Sequence, residues 1–141
     1  MIVLDTNVLS ELWRAVPDPN VVAWVDAQAI ETLYLTAVTV AELRFGLAMM
    51  PPGKRRDIFQ DRLEREVLSA FAGRVLPFDL DASRHYADFM ARARAAGKAI
   101  GMADGTIAAA AAVRGFSVAT RDTSPFEAAG ISVIDPWRAG G

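Results

Sequence analysis

The chain contains no cysteine and a single histidine, His85, among its 141 residues. Without cysteine it has neither disulfide bonds nor thiolate metal ligands, and one imidazole cannot form a histidine cluster. Any metal ion would therefore be held by oxygen atoms. Oxygen ligands suit hard cations, which favours Mg²⁺ or Mn²⁺ over zinc or copper.

Long apolar runs are also missing. Only Met1–Leu4 precede the first acidic residue, which is far too short for a signal peptide, and no segment is long enough to span a membrane. We therefore expect a cytoplasmic protein. Neither a GxGxxG motif after the first predicted strand nor a Walker A loop is present, which argues against a nucleotide-binding domain.

The length of 141 residues predicts one domain covering residues 1–141. The hydrophobic fraction of 52%, which includes three tryptophans, is high for a chain of this size and predicts an oligomeric or partner interface. The net charge is −2, from 17 acidic and 15 basic residues. When the four acidic residues discussed below are set aside, the remaining surface is mildly basic, which suits a phosphate-bearing substrate.

Predicted strands alternate with predicted helices along the whole chain. Short apolar runs predict strands at 2–4, 33–38, 75–78, 116–120 and 131–134. Helical spacing of apolar residues or alanine-rich sequence predicts helices at 6–14, 20–28, 39–50, 54–72, 82–96 and 102–114. Asp81 is the predicted cap of the fifth helix, and a further short helix is predicted to begin at Ser124-Pro125. This alternation predicts an α/β fold in which helices flank both faces of a central parallel sheet.

Four acidic residues stand where a predicted strand ends or a predicted helix begins: Asp5, Glu42, Asp104 and Asp122. Because parallel strands bring their carboxyl ends to one edge of a sheet, we expect these side chains to converge there. Their mutual repulsion would need a cation, so the pattern predicts a metal site.

Each of these acids also has a purely structural interpretation. Asp5 is a plausible N-cap of the first helix, and Glu42 completes the capping-box pattern Thr39-Val40-Ala41-Glu42. Asp104 is a plausible N-cap of a helix that starts at Gly105, and Asp122 a plausible Asx-turn residue. Singly these alternatives stay open, whereas four such acids at one sheet edge favour a metal site.

Five stretches together resemble a known family: Val3–Leu9 (VLDTNVL), Ala41–Gly46 (AELRFG), Asp104–Ala109 (DGTIAA), Ala119–Asp122 (ATRD) and Val133–Trp137 (VIDPW). In order and spacing they resemble the PIN-domain ribonucleases, and among them the VapC toxins of bacterial toxin–antitoxin pairs, especially the FitB-like subgroup. The resemblance covers the whole chain. It implies the PIN-like fold and an Mg²⁺- or Mn²⁺-dependent endoribonuclease that leaves a 3′-hydroxyl and a 5′-phosphate.

The resemblance also implies site residues and partners. Asp5, Glu42 and Asp104 correspond to metal ligands and Asp122 to a more variable fourth acid, while Thr6, Asn7 and Thr120 correspond to polar groups of the same pocket. A homodimer is implied, together with a small antitoxin protein that can point a basic residue into the acidic pocket.

Other residues near these motifs carry separate expectations. Arg121 is placed to contact RNA or, alternatively, to pair with a neighbouring acid. Gly105 stands where a larger helix former is expected, and we expect it to loosen the turn that carries Asp104. The segment Asp135-Pro136-Trp137 is expected to dock the C-terminal part of the chain.

Two other functions compete with the nuclease. In a non-catalytic binding module, the four acids would only cap helices and the apolar surface would bind another protein. In a phosphatase with an aspartyl nucleophile, the acid after the first strand would attack phosphate and an acid two residues later would protonate the leaving group. Asn7 occupies that second position, which argues against the phosphatase.

Overall fold

The computed structural model describes residues 1–138. Its strands are β1 (Ile2–Leu4), β2 (Leu33–Thr36), β3 (Val75–Leu76), β4 (Ser117–Ala119) and β5 (Val133–Ile134). Its helices are α1 (Thr6–Leu12), α2 (Pro19–Asp26), α3 (Ala37–Ala48), α4 (Lys54–Asp61), α5 (Leu68–Ala70), α6 (Leu80–Ala95), α7 (Met102–Arg114) and α8 (Ser124–Ala128). A π-helical stretch, Arg62–Val67, joins α4 to α5, and a 3₁₀ turn at Ile30–Thr32 precedes β2.

All five strands are parallel and lie in the order β3-β2-β1-β4-β5. β1 is the central strand: the chain first adds β2 and β3 on one side of it and later β4 and β5 on the other. The reversal creates a topological switch point between β1 and β4, where open α/β sheets bind their ligands beyond the carboxyl ends of the strands. The backbone N–H of Asp5 extends this pairing by donating to the Ala119 carbonyl at 2.9 Å.

Helices cover both faces of the sheet, as the sequence predicts. Because side chains alternate along a strand, Val3 and Val118 point to one face and Leu4 and Ala119 to the other. The first face packs against α6, α7 and α8, and the second against α1, α2, α3 and Leu63 of the π-helical stretch. Both faces are buried, which accounts for the almost continuously apolar strands.

Some predicted boundaries are wrong, for identifiable reasons. β2 ends at Thr36, because the Thr36 hydroxyl accepts a hydrogen bond from the Thr39 N–H at 3.1 Å and so begins α3 two residues before the predicted start. The cap of α6 is Asp79, which accepts from the Ala82 N–H at 2.9 Å, and Asp81 lies inside the first turn. The long helix predicted at 54–72 ends at Ala70 and contains the π-helical stretch.

Gly105 permits close packing between α6 and α7. A β-carbon at this position would lie 3.0 Å from the Met90 sulfur and 3.1 Å from Cε2 of Tyr86. The expected loosening of the turn that carries Asp104 is not seen, because Gly105 is buried within the regular helix α7, and its missing side chain makes room for the neighbouring helix.

No helix within residues 1–138 combines the length and the apolar character needed to cross a membrane.

Candidate active site

The four predicted acids are placed around the switch point by different elements. Asp5 directly follows β1, and Asp122 lies three residues beyond the end of β4. Asp104 lies in the first turn of α7, and Glu42 lies in α3 after its first turn. The charges of the other acids raise the pKa of Asp5 or of Asp104, so the four carboxylates lie near one another, and we call this group the acidic pocket.

Asp5 is the most buried member, with 5% of its surface exposed. One carboxylate oxygen accepts from the Thr6 N–H at 2.8 Å, and the other accepts from the Thr120 hydroxyl at 2.9 Å. The N-cap interpretation of Asp5 is therefore confirmed, yet the same side chain also faces the other acids. Burial, and then the charges of Glu42 and Asp122, raise the pKa of Asp5, while the two hydrogen bonds oppose that rise.

Glu42 is held by a residue of another helix. The Thr6 hydroxyl donates to Oε1 of Glu42 at 2.6 Å and thereby ties α3 to the start of α1. The capping-box interpretation is wrong, since Thr36 is the cap of α3 and Glu42 lies six residues beyond it. Glu42 is thus exposed and turned towards the acidic pocket, where its charge raises the pKa of both Asp5 and Asp104.

Asp104 shows the strongest electrostatic perturbation of the site. Its pKa is raised to about 6, first by partial burial and then by the charges of Asp5, Asp122 and Glu42. Among the described residues no hydrogen bond offsets this rise, in contrast to Asp5. The N-cap interpretation is wrong, because α7 begins at Met102 and Asp104 already belongs to its first turn.

Thr120 organises the polar side of the pocket. This residue is fully buried, and its hydroxyl oxygen accepts from the backbone N–H of Asp122 at 3.1 Å and from the Asn7 amide at 3.2 Å. The side-chain oxygen of Asn7 in turn accepts a hydrogen bond from the backbone N–H of Arg121 at 3.4 Å. Thr120 and Asn7 therefore fix the loop that carries Arg121 and Asp122.

Two structural alternatives for this loop, an Asx-turn at Asp122 and a salt bridge of Arg121, are wrong, while the predicted contact of Arg121 with RNA stays a prediction. Within residues 1–138 the Asp122 carboxylate forms no Asx-turn, because the side-chain acceptor in this turn is Thr120. No ion pair in that range includes Arg121, so it is not the salt-bridge partner of a neighbouring acid. Its guanidinium instead lies over the Trp137 ring, 5.3 Å from the ring centroid.

Two buried threonines support the site and were missed from the sequence. Thr36 and Thr39 have 1% and 0% of their surface exposed, and their hydroxyl oxygens lie 3.3 Å apart. The Thr39 hydroxyl lies a further 3.3 Å from that of Thr6, which holds Glu42. Two threonines spaced three residues apart just before an acid are the signal that would have indicated this support.

The oxygen-only donor set fits a hard divalent cation, since neighbouring carboxylates raise the pKa of Asp5 and Asp104 and a cation relieves that repulsion. In residues 1–138, no three Asp, Glu or His side chains are already gathered closely enough to hold a metal ion. Binding would therefore need the side chains to adjust.

Comparison with known proteins is consistent with this geometry. A family model described as "PIN domain" matches residues 2–131. The chain is 74% identical over 137 residues to VapC ribonuclease Y4jK of Sinorhizobium fredii, covering 97% of this chain and 98% of that protein. It is similar to the crystal structure of FitAcB from Neisseria gonorrhoeae, with a TM-score of 0.95, 48% identity and coverage of 98% and 99%. It is also similar to VapBC-5 from Mycobacterium tuberculosis, described as a member of the VapBC family of toxin–antitoxin systems, with a TM-score of 0.62, 30% identity and coverage of 94% and 95%.

Proposed function

This chain belongs to the PIN domain family, and we propose that it is a metal-dependent endoribonuclease that acts as the toxin of a toxin–antitoxin pair. The observation that carries the proposal is the acidic pocket at the switch point, in which the pKa of Asp104 is raised to about 6 by burial and by three neighbouring carboxylates. A carboxylate whose pKa is shifted by burial and by neighbouring charges is typical of a functional site. The names of the relatives described above support the same activity.

Four carboxylates would hold the ion: Asp5, Glu42, Asp104 and Asp122. When bound, Mg²⁺ or Mn²⁺ supplies a Lewis acid for the scissile phosphate and lowers the pKa of a water molecule for in-line attack. The chain itself supplies orientation. Thr120 and the Thr6 N–H hold the two oxygens of Asp5, and the Thr6 hydroxyl holds Glu42.

We further propose that residues 1–141 form one PIN domain, that it forms a homodimer, and that a small antitoxin protein inhibits it. An arginine of the antitoxin would pair well with clustered carboxylates, since guanidinium groups bind carboxylates through two parallel hydrogen bonds. The toxin–antitoxin description of a structural relative supports this partner. The cytoplasmic location stays a prediction.

A non-catalytic binding module is the alternative that one observation favours. Asp5 is a true N-cap, so part of the acidic pattern has a structural explanation. The phosphatase is disfavoured, because Asn7 uses its amide to donate to Thr120 and supplies no acid.

The test is cleavage of end-labelled single-stranded RNA by the purified chain with Mg²⁺ or Mn²⁺, and with EDTA. We compare the unmodified chain with Asp5→Asn, which keeps an oxygen acceptor for the cap but removes the charge. The matched control is Asp18→Asn, because Asp18 caps α2 in the same way, accepting from the Asn20 N–H at 2.8 Å, and none of the site interactions described above involves it.

The proposal predicts metal-dependent cleavage that is retained by Asp18→Asn and almost abolished by Asp5→Asn while the fold is kept. If Asp5→Asn cleaves like the unmodified chain and like Asp18→Asn, Asp5 does not act in catalysis and the proposed metal site is wrong. If the folded chain binds metal but cleaves none of a broad set of RNAs, the binding module becomes the better description.

A further inference from the structure

Arg121 lies in the loop that carries Asp122, one of the four acids of the site. It lies between Thr120, which hydrogen-bonds Asp5, and Asp122, which contributes to the repulsion in the pocket. The residue is exposed, and none of the ion pairs among residues 1–138 involves it. Its charge does not lower the pKa of Asp104, so the acidic pocket does not neutralise the guanidinium, which is available to an anion from outside the chain.

Trp137 supplies the surface on which this cation lies. The Arg121 guanidinium carbon is 5.3 Å from the centroid of the Trp137 ring, within the range of a cation–π interaction. This contact uses the flat face of the guanidinium and leaves the N–H groups at its edge free to donate, as two parallel hydrogen bonds to phosphate require.

The tryptophan is itself firmly placed. Its ring packs against the core between the sheet and α1–α3. Its backbone carbonyl accepts from the Asn20 side chain at 3.0 Å, and its backbone N–H donates to the Asp135 carboxylate at 3.0 Å. The backbone of Arg121 is anchored separately through the oxygen of the Asn7 side chain. Both ends of the arginine are thus restrained, which lowers the entropy lost when it binds a ligand.

We propose that Arg121 binds a phosphate of the RNA strand adjacent to the scissile phosphate, and that Trp137 is the positioning residue that holds the guanidinium for this contact. The inference rests on the proposed ribonuclease function. The acidic pocket repels the phosphate backbone, so a fixed cation at its rim offsets that repulsion and guides the strand across the site.

The experiment measures kcat and KM for RNA cleavage by Arg121→Ala, Trp137→Leu, Trp137→Phe and the Arg121→Ala/Trp137→Leu double variant. Leucine keeps an apolar side chain but removes the π face, whereas phenylalanine keeps both. The control is Arg92→Ala, which removes another exposed arginine that lies over an aromatic ring, 5.7 Å from the Phe89 centroid, but belongs to α6 and pairs with Asp88.

We expect Arg121→Ala to raise KM about tenfold or more with little change in kcat, because it removes a charge-assisted contact of up to two hydrogen bonds. Trp137→Leu should raise KM by about two- to fivefold, which is the size of an exposed cation–π contact, and Trp137→Phe should largely restore it. In the Arg121→Ala background, Trp137→Leu should have no further effect on KM. If Trp137 only supported the fold, Trp137→Leu would lower the thermal midpoint, and its effect on KM would be the same with and without Arg121.

Salt dependence gives a second readout. Loss of one phosphate contact on single-stranded RNA should reduce the slope of log K against log salt concentration by about 0.7. Unchanged KM and an unchanged salt slope in Arg121→Ala would overturn the proposal, and binding of a protein partner would then be the better explanation for the exposed Arg121. Additive effects of the two substitutions would overturn the role of Trp137.

The inference can fail separately from the proposed function. If the unmodified chain cleaves no RNA, binding of a fluorescent single-stranded RNA is measured by anisotropy instead. A roughly tenfold weaker binding by Arg121→Ala, absent in Arg92→Ala, supports the phosphate contact. Equal binding by the two variants rejects it.

Discussion

Replacing Asp104 with asparagine should stabilise the metal-free fold while removing a proposed metal ligand. Burial and three neighbouring carboxylates raise the pKa of Asp104 from its ordinary value of 3.8 to about 6. A raised pKa of an acid means that the folded state disfavours the charged form. Stability is therefore unaffected by this group well below pH 3.8, falls as the pH rises towards 6, and stays lower above it.

The size of the effect follows from the pKa shift. A rise from 3.8 to about 6 corresponds to at most about 3 kcal/mol. Because Asp104 is only partly buried, solvent screening reduces this figure, and we expect about 1 kcal/mol at neutral pH. For a chain of this size, that difference raises the thermal midpoint by about 3–5 °C.

The assay is thermal or urea unfolding in EDTA at pH 8 and at about pH 3, where the carboxyl group is mostly protonated. Asp104→Asn should be more stable against unfolding than the unmodified chain at pH 8 and equally stable at the lower pH. Added Mg²⁺ should then stabilise the unmodified chain but not the variant. The matched control is Asp81→Asn, since Asp81 lies in the first turn of α6 as Asp104 lies in that of α7, but is exposed.

Asp81→Asn should leave stability unchanged or slightly lower, because it only weakens a favourable interaction with the helix dipole. Our reasoning about the site would be refuted if Asp104→Asn were no more stable than the unmodified chain at pH 8. It would equally be refuted by a gain of the same size at both pH values, because repulsion between carboxylates must disappear once they are protonated.

Three further substitutions test the packing of the fold. Gly105→Ala should lower the free energy of unfolding by about 1 kcal/mol in urea denaturation, because overlap with Tyr86 and Met90 outweighs the gain in helix propensity. This loss of stability should be smaller in a Met90→Ala background. Leu63→Ala should cost about 2–5 kcal/mol in the same assay, since Leu63 is fully buried, and a smaller loss would mean that the π-helical stretch collapses around the cavity. Glu11→Gln should destabilise the fold at pH 7 but not in strong acid. Hydrogen bonds from the Asp18 backbone N–H and from Arg14 lower the pKa of Glu11, so the stability that its charge provides is lost when Glu11 is protonated. Equal destabilisation at both pH values would contradict this.

The sequence predicts the order of strands and helices because each buried strand is a short apolar run and most long helices have an apolar stripe or are alanine-rich. It does not predict where α3 begins. Thr36 suits a strand by its side chain, and only the hydrogen bond from the Thr39 N–H identifies it as a cap. The start of that helix decides whether Glu42 is a capping residue or a residue of the pocket, so a local error changed its interpretation.

The convergence of the four acids is predictable, since the carboxyl ends of parallel strands share one edge of the sheet. The contacts that orient them are not, because they join distant parts of the chain. Thr6 and Glu42 are separated by 36 positions, and the contact between Arg121 and Trp137 depends on how the last strand ends beside β4. Local sequence contains no signal for either distance.

Asp5 shows why a structural and a catalytic interpretation of the same residue are compatible. A carboxylate has four lone-pair positions, and the contacts from the Thr6 N–H and the Thr120 hydroxyl leave others available for a cation. The cap therefore fixes the orientation of Asp5 without occupying it. It follows that Asp5→Asn separates the two roles, because it preserves the cap and removes the charge. Asp5→Ala would remove both the cap and the charge, so a loss of activity in that variant could not be assigned to one of them.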